Sequence, residues 1–106
     1  MKQNTNDGGN VFEDLDLPQS GELLVKAELT RQIYGIIKRR KMTQTAAADL
    51  LGLKQPDVSA LIRGRFTGFS ADRLMQLLTA LDRDVKIVIK RKPRSRKQAR
   101  ISVEAA

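Results

Sequence analysis

The 106 residues predict a mainly α-helical bundle of four to five helices that ends in a single β-strand. Three observations carry that expectation. Apolar residues recur at helical spacing through residues 22–41, 43–63 and 70–81. Gly52 interrupts the middle stretch and leaves a short helical segment on each side. In "DVKIVIK" the period then falls to two, with Val85, Ile87 and Ile89 alternating with Lys86, Val88 and Lys90. The length suits one small domain with extra segments at its ends.

Taken in order, residues 1–10, "MKQNTNDGGN", are polar and glycine-containing and are expected to be disordered. The domain is expected over residues 11–90. It opens on "VFEDLDLP", whose Val11, Phe12, Leu15 and Leu17 are apolar enough to pack on it. Ser20 is the expected N-cap of a long helix, with Glu22 in the first turn, where the helix dipole favours negative charge. Its apolar stripe is expected at Leu23, Ala27, Thr30, Ile33 or Tyr34, and Ile37. Four basic residues suit its C-terminus, and Gly35 suggests a close helix contact. Thr43 should cap a second helix through Leu51. A third is expected from Gln55 to Arg63, with Pro56 tolerated only in its first turn. Ser70 should cap a fourth helix, with Leu74, Leu77, Leu78 and Leu81 facing the core. A lone strand has unpaired edges, so residues 84–90 are expected to pair antiparallel with the same strand of a second chain. Residues 91–106 read as a basic flexible tail.

Composition narrows the chemistry. The chain has no cysteine and no histidine, which removes thiolate and disulfide chemistry, the commonest general base and the commonest metal ligand. No Ser–Lys or carboxylate constellation stands out, so no enzyme activity, cofactor or metal is expected. Net charge is +8 but uneven: −4 over residues 1–22, +5 over 23–42 and +6 over 84–106. A basic body suggests a polyanion as partner, nucleic acid before membrane. With only Tyr34 and three Phe, the chain is poor in the aromatics that stack single-stranded RNA. No apolar run reaches membrane-span length and no signal peptide is evident, so a cytoplasmic protein is expected.

The middle of the chain, "TQTAAADLLGLKQPDVSALIRGR", has the layout of a helix-turn-helix. Two short helices joined by a tight turn cross steeply. That crossing needs a small residue at Ala48 and a left-handed glycine at Gly52. Leu51, Leu53, Val58 and Leu61 then fill the wedge. Lys54, Gln55, Asp57, Ser59 and Ala60 remain outward on the second of the two helices, small or polar and suited to base edges. An ordinary helical hairpin would not explain Gln44 and Gln55 together beside basic flanks.

With Gln44, Ala48, Gly52, Val58 and Leu61 at the motif positions, this segment resembles the helix-turn-helix of the Cro and phage-repressor (Xre) family. Residues 11–90 are most similar to the HigA-type antitoxins, through "NVFEDLDLP", "QPDVSALIRGRFTGFSADRLMQLLTALDRDVKIVI" and the terminal strand. Asp16 and Asp82 stand where turn glycines would be expected. The resemblance implies a phage-repressor-like dimer on a palindromic double-stranded operator. In it Gln55 reads an adenine, braced by Gln44, and Lys54, Asp57, Ser59 and Ala60 lie near further bases. Thr43, Gln44, Arg63 and Arg65, with backbone N–H groups around Gly64, hold phosphates. It also implies autorepression and neutralisation of a RelE-like ribonuclease toxin. The alternatives are a stand-alone phage-type repressor and a module whose main role is toxin binding.

Overall fold

The computed structural model describes residues 19–105. The expectations for residues 1–10, and for packing of Val11, Phe12, Leu15 and Leu17, lie outside that range. Four helices follow in order: α1 Gln19–Arg39, α2 Gln44–Leu51, α3 Gln55–Ile62 and α4 Ala71–Ala80. α1 packs chiefly on α4, while α2 packs on α3.

Local chemistry explains most of the boundaries. The Thr43 hydroxyl accepts from the Ala46 N–H at 3.0 Å and starts α2. The Ser70 hydroxyl accepts from the Arg73 N–H at 3.0 Å and starts α4. Gly52 ends α2 at φ 68°, ψ 33°, a left-handed conformation that lets both its own N–H and that of Leu53 donate to the Ala48 carbonyl. Pro56 falls in the first turn of α3, where a missing N–H costs nothing. α1 begins at Gln19, so Ser20 lies inside its first turn rather than capping it. Helices α1 and α4 are followed by left-handed residues that are not glycine, Lys41 at φ 55° and Asp82 at φ 65°. At the second of these, the Arg40 guanidinium donates to the Leu81 carbonyl at 2.8 Å and lies 3.8 Å from the Asp82 carboxylate. It thereby ties the end of α1 to the end of α4.

The core is a single cluster. α1 contributes Val25, Leu29, Ile33, Ile36 and Ile37, and α4 contributes Leu74, Leu77 and Leu78, with Leu81 just beyond. Ala47, Ala48, Leu51, Val58 and Leu61 join it from the α2–α3 pair. Three expectations need correction. Of the stripe expected on α1, Thr30, Ile33 and Ile37 are buried, but Leu23 is 41% exposed and Ala27 half-buried, and Val25, Leu29 and Ile36 face the core instead. Gly35 touches no other helix, since the nearest atom a Cβ would meet is the flexible end of Arg39 in its own helix. No strand forms among the described residues: Val85, Ile87 and Ile89 are exposed and residues 84–90 have no ladder partner among them. A strand exists only against another strand, and the described residues supply none. Beyond it, the tail turns back so that Val103 packs against the core and Arg100–Val103 lie beside Leu24 and Val25.

Candidate nucleic-acid interface

α2 and α3 form one rigid unit. Ala48 is buried at the crossing, Gly52 makes the turn, and Val58 and Leu61 are fully inside. Their burial fixes the rotation of α3 about its axis, because residues 58 and 61 cannot face the core without turning residues 54, 55 and 57 away from it. Lys54, Gln55 and Asp57 are accordingly exposed, and Ser59 and Ala60 are half-buried at the edge of the same surface.

Gln55 is held. Its amide nitrogen donates to the Thr45 hydroxyl at 3.3 Å, across the two helices. The expected brace, Gln44, is exposed at the start of α2 and makes no such bond among the described residues. Thr45 was missed because the partner of a side chain across a crossing depends on the crossing angle. The one available hint was that residues 45 and 55 each lie at the beginning of their helix.

The turn after α3 also differs in chemistry from the expectation. Gly64 is left-handed at φ 77°, and its N–H donates to the Leu61 carbonyl at 3.0 Å. The N–H of Arg65 donates to Ala60 at 2.8 Å, and that of Arg63 to the carbonyls of Ser59 and Ala60 at 3.1 Å. These amides are already used to close the helix, which leaves the exposed Arg63 and Arg65 side chains as the cationic groups at this turn. At the other end of the unit, Thr43 spends its hydroxyl on the cap. The first-turn N–H groups of α2, at Gln44 and Thr45, have no acceptor within the helix and add to the positive end of its dipole.

The outer surface of α3 is therefore polar and net basic. Among the described residues, no group of three His, Cys, Asp or Glu comes together as a metal site, and no helix is long and apolar enough to cross a membrane. Two short helices locked by a left-handed glycine, the second presenting a polar outer face, define a helix-turn-helix protein. A family model described as a helix-turn-helix domain matches residues 11–90. The chain is also similar to a solved structure provisionally named an XRE family transcriptional regulator. The two share 52% identity over 84% of this chain and 100% of the other, with a TM-score of 0.81. No curated protein matches the chain. The chain belongs to the helix-turn-helix family, in its XRE branch.

Proposed function

We propose that the chain is a sequence-specific, DNA-binding transcriptional repressor acting as a homodimer in the cytoplasm, with no catalytic role. The observation that carries this reading is the Gln55–Thr45 bond on an otherwise free polar face. A carboxamide held in place still has an oxygen and a second N–H to offer, the donor–acceptor pair that adenine N6 and N7 require. Lys54, Asp57, Ser59 and Ala60 flank it for neighbouring bases. Arg63, Arg65, Gln44 and the α2 N-terminus are suited to phosphates, which set register without reading sequence. Exposed Ile87 and Ile89 support dimerisation, because pairing residues 84–90 with the same segment of a second chain would set these same-face side chains against that segment's own apolar side chains. Gln55→Ala is the test. On the chain's own operator affinity should fall by about 1–3 kcal/mol, and the loss should nearly vanish when the contacted base pair is changed. Unchanged affinity in a folded variant would reject this placement of the recognition helix.

A second reading, that the repressor is also the antitoxin of a toxin–antitoxin pair, is favoured by Leu24. It is 71% exposed on α1, a helix that supplies none of the proposed base contacts, and lies beside Ile101 of the tail. Co-expression with the neighbouring reading frame decides it. A tight, non-toxic complex supports a RelE-like toxin as partner, and its absence leaves a stand-alone repressor.

A further inference from the structure

Residues 83–93 carry neither helix nor turn. No backbone N–H or C=O of residues 84–90 is hydrogen-bonded among the described residues. A stretch with free backbone groups is a template for a second strand. Its sequence, "DVKIVIK", is nearly symmetric in chemistry about its middle residue, Ile87. Val85 and Ile89 stand at equal distance on either side, both apolar. Asp84 and Lys90 stand at its two ends with opposite charges. All the residues from 84 to 90 are exposed, and neither Asp84 nor Lys90 has an ion-pair partner among the described residues.

We propose that two copies of the chain pair over this stretch with their two-fold axis through Ile87, so that Asp84 of each copy faces Lys90 of the other. The inference rests on the dimer reading above and fixes its register. In an antiparallel ribbon, directly opposed side chains share a face. A two-fold axis perpendicular to the ribbon therefore passes through a residue, and Lys86, Ile87 and Val88 are the residues that keep most of the stretch paired. An axis through Lys86 sets the two Lys86 side chains against each other. An axis through Val88 opposes Lys86 of each copy to Lys90 of the other. Like charges in directly opposed positions destabilise a pair of strands, and opposite charges stabilise it. The axis through Ile87 meets no like charge. It opposes Asp84 to Lys90, Val85 to Ile89, Lys86 to Val88 and Ile87 to itself. The register matters for recognition. Moving the axis by one residue slides the copies by two, roughly 7 Å along the strands, and the two α3 helices move with them. That distance is about two base-pair steps, so Asp84 and Lys90 are positioning residues for operator binding.

The chain has no cysteine, so single cysteines report the position of the axis without background. Full-length Lys86→Cys, Ile87→Cys and Val88→Cys are each oxidised mildly at a concentration where the native chain sediments as a dimer. Ile87→Cys is expected to form a covalent dimer fastest. In this register residue 87 alone faces its own copy within the roughly 4.4–6.8 Å Cα separation that a disulfide spans. Faster trapping of either neighbour moves the axis and overturns the proposal, as does trapping at none of the three. Charge reversal gives a second measurement at other positions. Lys90→Asp opposes carboxylates at both ends of the ribbon and should raise the dimer dissociation constant about tenfold. Asp84→Lys combined with Lys90→Asp should restore the native value, and a double variant as weak as the single one overturns the pairing. A native chain that is monomeric at micromolar concentration removes the dimer reading and this register together. A dimer whose axis lies away from Ile87 overturns the register and leaves the dimer reading standing.

Discussion

Gln55 uses one amide hydrogen on Thr45 and keeps its remaining groups for a ligand, so the two residues should act as one in DNA binding. Thr45→Val keeps the side-chain shape and removes only the acceptor. It should cost about 1 kcal/mol on the operator, and in combination with Gln55→Ala it should add almost nothing. Fluorescence-anisotropy titrations of the single and double variants check this. Full additivity would mean that the 3.3 Å bond plays no part in recognition. Gln44→Ala should instead weaken binding on all operators equally, as loss of a phosphate contact does. Gln55 was legible in the sequence because a polar residue opening the second short helix has one obvious direction to face. Thr45 was not, since the brace is set by how two helices cross. The amides of residues 63–65 were misread for a related reason: a glycine after a helix signals a turn, but whether its N–H groups remain free depends on which carbonyls the turn reaches.

Two glycines, one within a helix and one just past the end of another, should respond to alanine with opposite sign. Gly35 lies within α1 with only the movable end of Arg39 nearby, so Gly35→Ala should stabilise by about 0.5–1 kcal/mol. Gly52 has open space around it but sits at φ 68°, and Gly52→Ala should cost about 1–2 kcal/mol. Lys41→Gly at φ 55° should gain up to about 1 kcal/mol by the same reasoning. Thermal denaturation of the three variants measures all of these. On the outer surface of α1, Glu28 accepts from Arg31 at 2.7 Å and Gln32 at 2.8 Å. Those bonds, that to Arg31 first, hold its carboxyl below the usual carboxylate range. Stabilisation from this cluster is present above the ordinary glutamate range and is lost as pH falls through the lowered value. The stability gap between the native chain and Glu28→Gln should therefore narrow in acid. Helices α2, α3 and α4 were legible because Thr43, Gly52, Pro56 and Ser70 mark ends by local chemistry. The rotation of α1 was legible only in its second half, at Thr30, Ile33 and Ile37. In its first half Leu23–Ala27 and Val25–Leu29 both lead into those residues at helical period, and only the packing against α4 selects between them.

For the molecule as a whole, the segment 84–90 shows the limit of reading one chain. Its alternation was plain, but a ladder needs a second strand. Ile87 and Ile89 are 73% and 92% exposed, so replacing both with aspartate should leave the fold of a single chain intact. Sedimentation should then show monomers where the native chain gives dimers; a native chain that is already monomeric at micromolar concentration would end the dimer reading. The tail needs a gentler probe than truncation, which would also strip Val103 from the core. Neutralising Arg91, Lys92 and Arg94 should flatten the salt dependence of DNA binding by close to one unit per lost phosphate contact, and an unchanged slope means the arm stays off DNA. The bond from Arg40 to the Leu81 carbonyl has a mechanical consequence in the proposed dimer. It clamps the pivot at Asp82 from which the pairing segment departs. With two recognition helices roughly 34 Å apart, each stands about 17 Å from the two-fold axis, and swinging one by a single base-pair step of about 3.4 Å takes a rotation of only about eleven degrees. A stiff pivot therefore makes the protein a ruler for half-site spacing. Arg40→Ala should blunt that ruler, so that operators with one base pair inserted or deleted between half-sites bind nearly as well as the natural one, and competition titrations against such spacer variants measure the change.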